Sequence, residues 1–503
     1  MGRIGRNVLW NWAGLALAMA IAFLMSPFLI RTLGDAQYGV WILMLSITGY
    51  MGLMDAGLKV SVVRFVAGHS ATADSPALNE TVSTALGLYV ALAIIILAVA
   101  GLLSLVLDQT FELPEKTKSD ARLVLIIAGA TLAVTLVSSV FGGVLAGLQR
   151  YDISNAIGVC VSILGAFAIY AVVSQGHGIV GLATVHLFTQ TILGILVWHA
   201  SMRLRPGLRV GWRQVRLARV KQLYGYSAFV LLNSIAMLLL FRSGDLVTGF
   251  MLGAAAVTYF AIGGMLVEYL GKIVGSMTQV LHPLASSQYA TGNADGLRSA
   301  TLLSTRACLA LALPASAGFI IVGPAFIAAW IGPEYAVTSG PILVVLTVGR
   351  LFWLAQSGAG NILLGSGKHK QLALLNVATG LAGIGLGVIL ARHFGLLGIA
   401  AGLSVAIVLI QGLVMPMLVC RAMSISPAEY LVRAVAGPVV ATLPFATALF
   451  LLMYFLRPSS IAGIAVIVGV AGAFFLPAAY YACLDHAHKQ QLAKRFALSR
   501  RPR

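Results

Sequence analysis

Apolar runs of about 20 residues, separated by short polar connections, recur along the whole chain. A run of this length crosses a hydrocarbon core of about 30 Å as a helix, because lipid offers no partner for free backbone N–H and C=O groups. The pattern predicts an all-α polytopic membrane protein with about fourteen transmembrane helices. The predicted helices are 9–30, 38–62, 82–107, 122–146, 153–173, 178–200, 223–242, 256–281, 301–322, 338–363, 371–391, 396–419, 431–456 and 460–483.

Two short Gly-rich segments occur twice in the chain. Gly143–Arg150 resembles Asn361–Lys368, and Gly178–Ala183 resembles Gly395–Ala400, with offsets that differ by a single position. An even number of predicted helices separates the equivalent points, so the two copies have the same orientation in the membrane. Parallel repeats of this kind are a common architecture of transporters, in which substrate lies between two bundles.

The repeat divides the chain into four predicted parts. These are a six-helix bundle at 1–200, a basic cytoplasmic linker at 201–222, a second six-helix bundle at 223–420, and an extra helix pair with a basic tail at 421–503. A weaker echo of the repeat pairs Leu33–Tyr38 with Leu252–Tyr259. The longest connections are expected at 64–81, 201–222 and 282–300.

Composition excludes a soluble protein. Hydrophobic residues make up 59% of the chain, charged residues make up 10%, and the mean hydropathy is +0.95. A soluble domain carries about 25% charged residues. The net charge of +18 is explained by the basic connections between helices, so no nucleic-acid partner is expected. The four cysteines lie in apolar segments without ligand spacing, and neither a metal nor a cofactor is expected.

Positive charge is divided unequally between the two sides of the predicted membrane. With both termini in the cytoplasm, 24 of the 33 Lys and Arg residues lie on the cytoplasmic side and seven on the opposite side. Because cytoplasmic loops of membrane proteins carry such an excess, the pattern predicts cytoplasmic N- and C-termini. The basic linker holds seven of these charges, from Arg203 to Lys221, which we interpret as an orientation signal that contacts anionic lipid headgroups.

Three segments resemble a known family. They are Arg31–Trp41, with the sequence RTLGDAQYGVW, Asp55–Phe65 and Arg242–Tyr259. Each resembles the corresponding region of oligosaccharide flippases of the Wzx type. One departure is Thr258, since the family pattern has a small residue, usually Gly, before the tyrosine. The resemblance implies a member of the multidrug, oligosaccharidyl-lipid and polysaccharide exporter superfamily.

The same resemblance implies a substrate. Family members move an undecaprenyl-diphosphate-linked oligosaccharide across the bacterial inner membrane, for the biosynthesis of O-antigen, capsule or exopolysaccharide. Such a protein would be a transporter and not an enzyme, and would work by alternating access. A polysaccharide polymerase or chain-length regulator is an expected partner. Since the sequence contains no nucleotide-binding motif, an ion or substrate gradient is the expected driving force.

Ionisable residues inside predicted helices are costly in lipid and mark candidate functional positions. Glu268 and Lys272 are one helical turn apart and form either a self-neutralising pair or, following the resemblance, an ion-coupling carboxylate and a diphosphate contact. Arg350 has no nearby acid in the sequence, and its guanidinium suits two diphosphate oxygens, so it is the first substrate-binding candidate. His186 and Gln190 either line a cavity or form interhelical hydrogen bonds, and the second interpretation is favoured.

Four further polar residues lie in or near predicted helices. Asp55 shares a helix face with Lys59, and it either pairs with this lysine or couples an ion. Arg242 is a further substrate-binding candidate and Asp245 a further ion-coupling candidate, although the two residues alternatively close a helix end.

Two other function classes stay open. A multidrug or organic-cation antiporter of the same superfamily needs an acidic or aromatic cavity, whereas the candidate residues Lys272 and Arg350 are basic. A membrane polysaccharide polymerase or glycosyltransferase needs paired carboxylates on a sizeable extramembrane segment. The acidic segment from Asp108 to Asp120 is short and mixed in charge, so the flippase is favoured.

Overall fold

Helices make up all the regular secondary structure in the described part of the chain, which confirms the all-α prediction. The computed structural model describes residues 3–55, 57–72, 74–111, 113, 115–224, 227–279 and 281–483, and the predicted basic tail from 484 lies outside them. The α-helices are α1 (Arg3–Met51), α2 (Leu58–Ala71), α3 (Ser75–Thr110), α4 (Lys118–Gly147), α5 (Tyr151–Ser174), α6 (Gly178–Leu204), α7 (Leu217–Tyr224), α8 (Ser227–Phe241), α9 (Ser243–Leu252), α10 (Ala254–Thr278), α11 (Leu281–Ala290), α12 (Ala294–Trp330), α13 (Pro333–Gly365), α14 (His369–Leu409), α15 (Met415–Ala422), α16 (Pro427–Tyr430), α17 (Gly437–Leu456) and α18 (Ile461–Cys483).

Many of these helices are long and apolar enough to span a membrane. Within the described residues there are 11 such helical segments, or 12 with the bent pair of Leu231–Phe241 and Ser243–Leu252. The protein is therefore a multi-pass membrane protein, while the count of fourteen stays a prediction. Two segments, Trp12–Asp55 with 44 residues and His369–Ala422 with 54 residues, are about twice as long as one crossing requires.

The longest segment doubles back at Gly395, which has φ 55° and ψ −131° inside α14. The amide nitrogen of Gln411 donates to the side-chain oxygen of Asn376 at 2.9 Å. Nearer the turn, a Cβ added to Gly402 would lie 2.2 Å from the backbone nitrogen of Gly387. Residues at similar distances before and after Gly395 are thus in contact, so the two arms of the segment run antiparallel.

Positive φ values recur at matching turns between helices. Gln149 (φ 56°) and Gly367 (φ 79°) are related by the first offset of the sequence repeat, and Gly178 (φ 57°) and Gly395 (φ 55°) are related by the second. Because left-handed φ values are uncommon, their recurrence at matching positions supports the internal repeat.

The weaker sequence echo has a structural counterpart too. Gly34 has φ 75° and ψ 168°, and Gly253 has φ 82° and ψ 171°, a combination essentially confined to glycine. Gly39 follows the first of these turns, and a Cβ added to it would lie 1.8 Å from the carbonyl oxygen of Ala254. In this part of the motif that resembles the family, the backbones of α1 and α10 are therefore in close contact.

Helix packing beside the turns also repeats. A Cβ added to Gly147 would lie 2.7 Å from a methyl carbon of Val66 in α2. A Cβ added to Gly365 would lie 2.6 Å from the carbonyl oxygen of His282 and 2.7 Å from Cβ of Ala285 in α11. Glycine at both positions lets a second helix approach closely, as is common between transmembrane helices.

Two connections that the sequence predicted as loops are largely helical, so the predicted boundaries were wrong there. Segment 64–81 contains the end of α2 and the start of α3, and segment 282–300 contains most of α11 and the start of α12. Asp74 and Asn293 cap α3 and α12, each accepting a hydrogen bond from a backbone N–H in the first turn. Hydropathy marks the part of a helix that lies in lipid, whereas caps mark where the helix begins.

The basic linker is bound to α3. The side-chain oxygen of Asn79 accepts a hydrogen bond from the backbone nitrogen of Arg209 at 3.0 Å. The Glu80 carboxylate pairs with Arg216 and Arg219, each at 3.4 Å. The linker is therefore a fixed strap on this helix, and part of its positive charge is neutralised there.

The chain divides into two compact units, Met1–Thr258 and Tyr259–Arg503. The first unit contains α1 to α9, with a core in which Tyr89 is fully buried among apolar side chains. The second contains most of α10 and all helices after it. The predicted bundles at 1–200 and 223–420 follow the repeat rather than compactness, and that division stays a prediction.

Helices α17 and α18 are joined to α12 within the second unit. Nε of Arg306 donates to the carbonyl oxygen of Arg433 at 2.6 Å, and Nη1 donates to that of Cys483 at 3.3 Å. One side chain thus bonds the segment leading into α17 and the end of α18. Farther along these helices the contacts are apolar, with Phe445 and Ile464 packed against Val322.

Candidate functional site

The ion pair predicted in α10 is present. Nζ of Lys272 lies 3.1 Å from Oε1 of Glu268, one turn earlier, and 5.6 Å from the ring centroid of Tyr269. The Lys272 and Glu268 side chains are 47% and 38% exposed. The pair therefore lies at an accessible surface of the second unit, although it belongs to a helix apolar enough to span a membrane.

Arg350 of α13 lies against the same helix. Its guanidinium carbon is 4.9 Å from the ring centroid of Trp353, a cation–π distance. A Cβ added to Gly271 would lie 3.0 Å from Nη2 of Arg350, so the absence of a side chain at Gly271 leaves room for the guanidinium. Gly271 is next to Lys272 in sequence, and the second unit thus brings Arg350 close to the turn of α10 that carries the ion pair.

The other predicted site residues lie in the first unit. Arg242 is the residue at which α8 and α9 meet, where the chain bends by 47°. Asp245, in the first turn of α9, accepts a hydrogen bond from Oγ of Ser46 at 3.0 Å, and both residues are buried. A carboxylate in the first turn is favoured by the helix dipole. Asp245 thus helps to attach α9 to α1.

Asp55 accepts a hydrogen bond from the phenol of Tyr89 in α3, and Lys59 is exposed, so the predicted pair of Asp55 and Lys59 is not formed among the described residues. Asp55 ends a short 3₁₀ segment, and Gly57 follows with φ 78°. The break in the helix separates the carboxylate from the lysine. The interaction instead joins two helices of the first unit.

Thr258, the departure from the family pattern, has a defined contact. Its hydroxyl donates to the backbone carbonyl of Asp35 at 2.7 Å, and the residue is completely buried. Asp35 follows Gly34, the turn that is equivalent to Gly253. The Thr258 hydroxyl thus joins α10, the helix after the Gly253 turn, to the Gly34 turn.

Neutral polar clusters were not singled out from the sequence. Gln411, in a π-helical turn at Ile410–Val414, is 1% exposed and bonds Asn376. The phenol of Tyr430 donates to Gln356 at 3.0 Å, within hydrogen-bond distance of a further buried hydroxyl. Asn and Gln residues within apolar runs were the sequence signal for these clusters, since a buried side-chain amide needs a hydrogen-bond partner.

His186 and Gln190 of α6 line cavities in the first unit, and among the described residues neither side chain makes the predicted interhelical hydrogen bond. His186 lines a chamber of about 230 Å³ together with Trp41, Leu45, Thr48, Gly49, Gly52, Ala128, Thr131, Leu132, Thr135 and Ala183. His186 and Gln190 also line a groove of about 460 Å³ between α1, α5 and α6. The sequence did not distinguish a cavity-lining polar residue from one that bonds a neighbouring helix.

An apolar groove of about 600 Å³ lies in the second unit, between α10, α12, α17 and α18. Its lining contains only apolar side chains, glycine and proline, among them Leu266, Phe319, Phe326, Phe445 and Val468. In the sequence these residues are indistinguishable from lipid-facing positions.

Residues 4–288 match the model of the family described as "Polysaccharide biosynthesis protein", which is more than half of the chain. Two curated relatives agree with this. The chain is 23% identical over 437 residues to an uncharacterized membrane protein, EpsK, of Bacillus subtilis, covering 86% of each protein. It is 21% identical over 413 residues to a putative O-antigen transporter of Shigella flexneri, covering 80% of this chain and 95% of that protein.

Solved structures show the fold. An inward closed conformation of the lipid II flippase MurJ superposes with a TM-score of 0.69 at 12% identity, covering 94% of this chain and 98% of that one. An inward-facing multidrug resistance MATE family transporter of the MOP superfamily gives a TM-score of 0.68 at 16% identity, covering 81% and 95%. The chain therefore belongs to the family described as polysaccharide biosynthesis protein, and it has the fold of the multidrug, oligosaccharidyl-lipid and polysaccharide exporter superfamily.

Proposed function

We propose that the protein is a flippase that moves an undecaprenyl-diphosphate-linked oligosaccharide across the bacterial inner membrane by alternating access. The product would enter O-antigen, capsule or exopolysaccharide biosynthesis. The family, the O-antigen transporter relative and the fold shared with a lipid II flippase support this class of substrate. The protein acts as a transporter, without a catalytic step.

The observation that carries the proposal is that α10 borders both an apolar groove and a group of charged residues. We call this group, which consists of Lys272, Glu268 and Arg350, the cationic cluster. Leu266 of α10 lines the apolar groove, and Lys272 lies about 9 Å farther along the helix axis. Arg350 lies beside that turn. A polyprenyl-diphosphate sugar has an anionic diphosphate next to a long apolar tail, so its two chemistries match the two features.

We assign the charged residues roles on this basis. Lys272 and Arg350 contact diphosphate oxygens, Arg350 in the bidentate manner that guanidinium favours. Glu268 neutralises Lys272 when substrate is absent and exchanges this cation for an ion from the coupling gradient. Arg242 is assigned to the sugar-phosphate region, and Asp55 and Asp245 are assigned to ion coupling in the first unit.

The charge distribution supports an orientation with both termini in the cytoplasm, where the basic linker contacts anionic headgroups. Substrate is synthesised on that side, and a polysaccharide polymerase or chain-length regulator on the opposite side receives it. The alternative of an organic-cation antiporter has the same fold, but a cluster with two cations and one acid repels cationic drugs.

A leaflet-transfer assay tests the proposal. Proteoliposomes would contain a polyprenyl-diphosphate oligosaccharide with a fluorescent label on the sugar, and an impermeant quencher would report the outer leaflet. The wild-type protein is expected to move label between leaflets, and transfer no faster than in protein-free vesicles would contradict the proposal. Loss of one charged hydrogen bond predicts that Arg350→Ala and Lys272→Ala each slow transfer roughly 10- to 100-fold.

Two matched variants control for charge removal. Arg392→Ala and Lys370→Ala each remove an exposed charge from α14, away from the cluster. Both are expected to keep the wild-type rate. Equal rates for Arg350→Ala and Arg392→Ala, at equal amounts of folded protein, would remove Arg350 from the substrate site.

A further inference from the structure

The chamber in the first unit that Trp41 and His186 line has no role in the function proposed above. Its wall combines an indole from α1, an imidazole from α6 and threonine hydroxyls from α1 and α4. We propose that this chamber is a saccharide subsite, in which Trp41, His186 and Thr131 bind one neutral sugar ring of the transported oligosaccharide. The proposal rests on the flippase function and specifies which part of the substrate the first unit recognises.

The three threonines present hydrogen-bond acceptors. The hydroxyl of Thr48 donates to the carbonyl of Met44 at 2.9 Å, that of Thr131 to Ile127 at 2.8 Å, and that of Thr135 to Thr131 at 2.7 Å. Each hydroxyl proton is thus used within its own helix. The remaining lone pairs are available to donors, and sugar hydroxyls are donors.

His186 supplies both kinds of hydrogen-bonding group. A neutral imidazole has one donor nitrogen and one acceptor nitrogen. Among the described residues, no side chain or backbone group forms a hydrogen bond with the ring of His186. Since polar groups inside a protein normally have partners, the ring is available to bond a ligand in the chamber or water that precedes it.

Trp41 supplies an aromatic wall. Its ring centroid lies 6.1 Å from that of His186, and the rings are nearly perpendicular, at 88°. The tryptophan is 8% exposed, so the chamber and its neighbours restrict the indole to one position. One face of a pyranose ring carries axial C–H groups and is apolar, and such a face packs on an aromatic ring while the hydroxyls at the rim bond polar groups.

Size and charge narrow the ligand. A volume of about 230 Å³ corresponds to roughly seven or eight water molecules at the volume that each has in the liquid. This is room for a single small ring. None of the described residues that line the chamber carries a formal charge with His186 neutral, so the wall favours a neutral ligand over a phosphate.

The chamber has a neighbour along which the substrate can extend. The groove between α1, α5 and α6 also contains His186 in its wall, and Asn155, Ser162 and Gln190 add polar groups to it. A ring in the chamber would therefore lie next to a second space whose wall contains several polar groups. The diphosphate end of the substrate belongs to the cationic cluster and is not assigned to this groove.

Intrinsic fluorescence measures binding, since Trp41 belongs to the chamber. Full-length protein in detergent would be titrated with the water-soluble oligosaccharide released from the lipid carrier, and with glucose, galactose and N-acetylglucosamine. A saturable change is expected for at least one of these sugars, and Trp41→Phe should abolish it. Trp198→Phe, which removes an exposed tryptophan of α6, should retain it.

Two further variants test the hydrogen bonds. Thr131→Val preserves shape and removes the hydroxyl, and His186→Phe removes both ring nitrogens. Each is expected to weaken sugar binding roughly 3- to 10-fold and to slow transfer of the lipid-linked substrate by a similar factor. Thr191→Val is the matched control, because Thr191 makes the same bond to its own helix outside the chamber and should behave as wild type.

The outcomes separate this inference from the function on which it rests. The wild-type protein and the Thr131→Val and His186→Phe variants are compared in transfer of the lipid-linked substrate. Equal transfer by all three would contradict the saccharide subsite but not the flippase function. A fluorescence response to sodium or to detergent chain length, with none to sugar, would also overturn it. Failure of wild-type protein to transfer the substrate would instead contradict the flippase function.

Discussion

Gly271 determines how close Arg350 can lie to α10. A Cβ at this position would be 3.0 Å from a guanidinium nitrogen, closer than nearly all real contacts. We predict that Gly271→Ala shifts the guanidinium by a few tenths of an ångström. Transfer should slow by roughly two- to fivefold, which corresponds to a cost of about 0.5–1 kcal/mol. Transfer rate and thermal unfolding midpoint would be measured together, so that a displaced charge is distinguished from lost folding.

A second glycine of the same helix provides the comparison. A Cβ added to Gly264 would lie 3.8 Å from a methyl carbon of Leu346, an ordinary contact. Gly264→Ala is therefore expected to transfer substrate at the wild-type rate. Equal rates in the two alanine variants would show that the position of Arg350 does not depend on Gly271.

Charged residues inside apolar runs could be recognised from the sequence, because charge in lipid is costly whatever the fold. Glu268, Lys272 and Arg350 were identified in this way. For the chamber residue His186 the sequence favoured an interhelical hydrogen bond over a cavity lining, because a neutral polar side chain looks the same in sequence in both settings. Its surroundings depend on α1 and α4, which are distant in sequence.

At the scale of elements, the two arms of the segment around Gly395 are joined by a buried amide pair. Gln411 bonds Asn376 at 2.9 Å, and both are almost fully buried. Gln411→Leu leaves the oxygen of Asn376 without its donor, so the free energy of unfolding should fall by about 1–3 kcal/mol. Chemical denaturation of the purified protein would measure this change.

A double variant isolates the amide interaction. Replacing both Gln411 and Asn376 by leucine removes donor and acceptor together, so its loss of stability should be smaller than the sum for the two single variants. Additive losses would mean that the two amides stabilise the protein independently, and would contradict their pairing.

The sequence predicted most elements and few of their ends. Apolar runs located helix interiors because lipid excludes polar residues there. The caps at Asp74 and Asn293 lie in polar surroundings, so hydropathy gave no reason to begin helices at these positions. The repeat was recognisable because its turns need particular conformations, at Gly178 and Gly395 for example, and the conformations constrain the sequence.

At the scale of the whole molecule, the predicted orientation in the membrane rests on the charge distribution alone. Cysteines introduced at Arg213 and Arg457 into a variant without native cysteines would probe it. In intact cells, an impermeant thiol reagent should label the Arg457→Cys variant and leave the Arg213→Cys variant unlabelled, because the predicted topology puts them on opposite sides. Permeabilised cells provide the control, where both should react. The reverse pattern in intact cells would contradict cytoplasmic termini.

The attachment of α17 and α18 has a consequence for the isoprenoid tail of the proposed substrate. Arg306 joins the helix pair to α12 at the end near Arg433 and Cys483. Around Phe445, the described residues that line the apolar groove have apolar side chains or are glycine and proline. If the groove widens near Phe445, apolar contacts between side chains are exchanged for contacts with the tail, and the described lining residues offer no polar side chain whose bond would be broken. For the proposed substrate, we expect a groove whose helix pair is attached in this way to accept isoprenoid carriers of different girth and saturation.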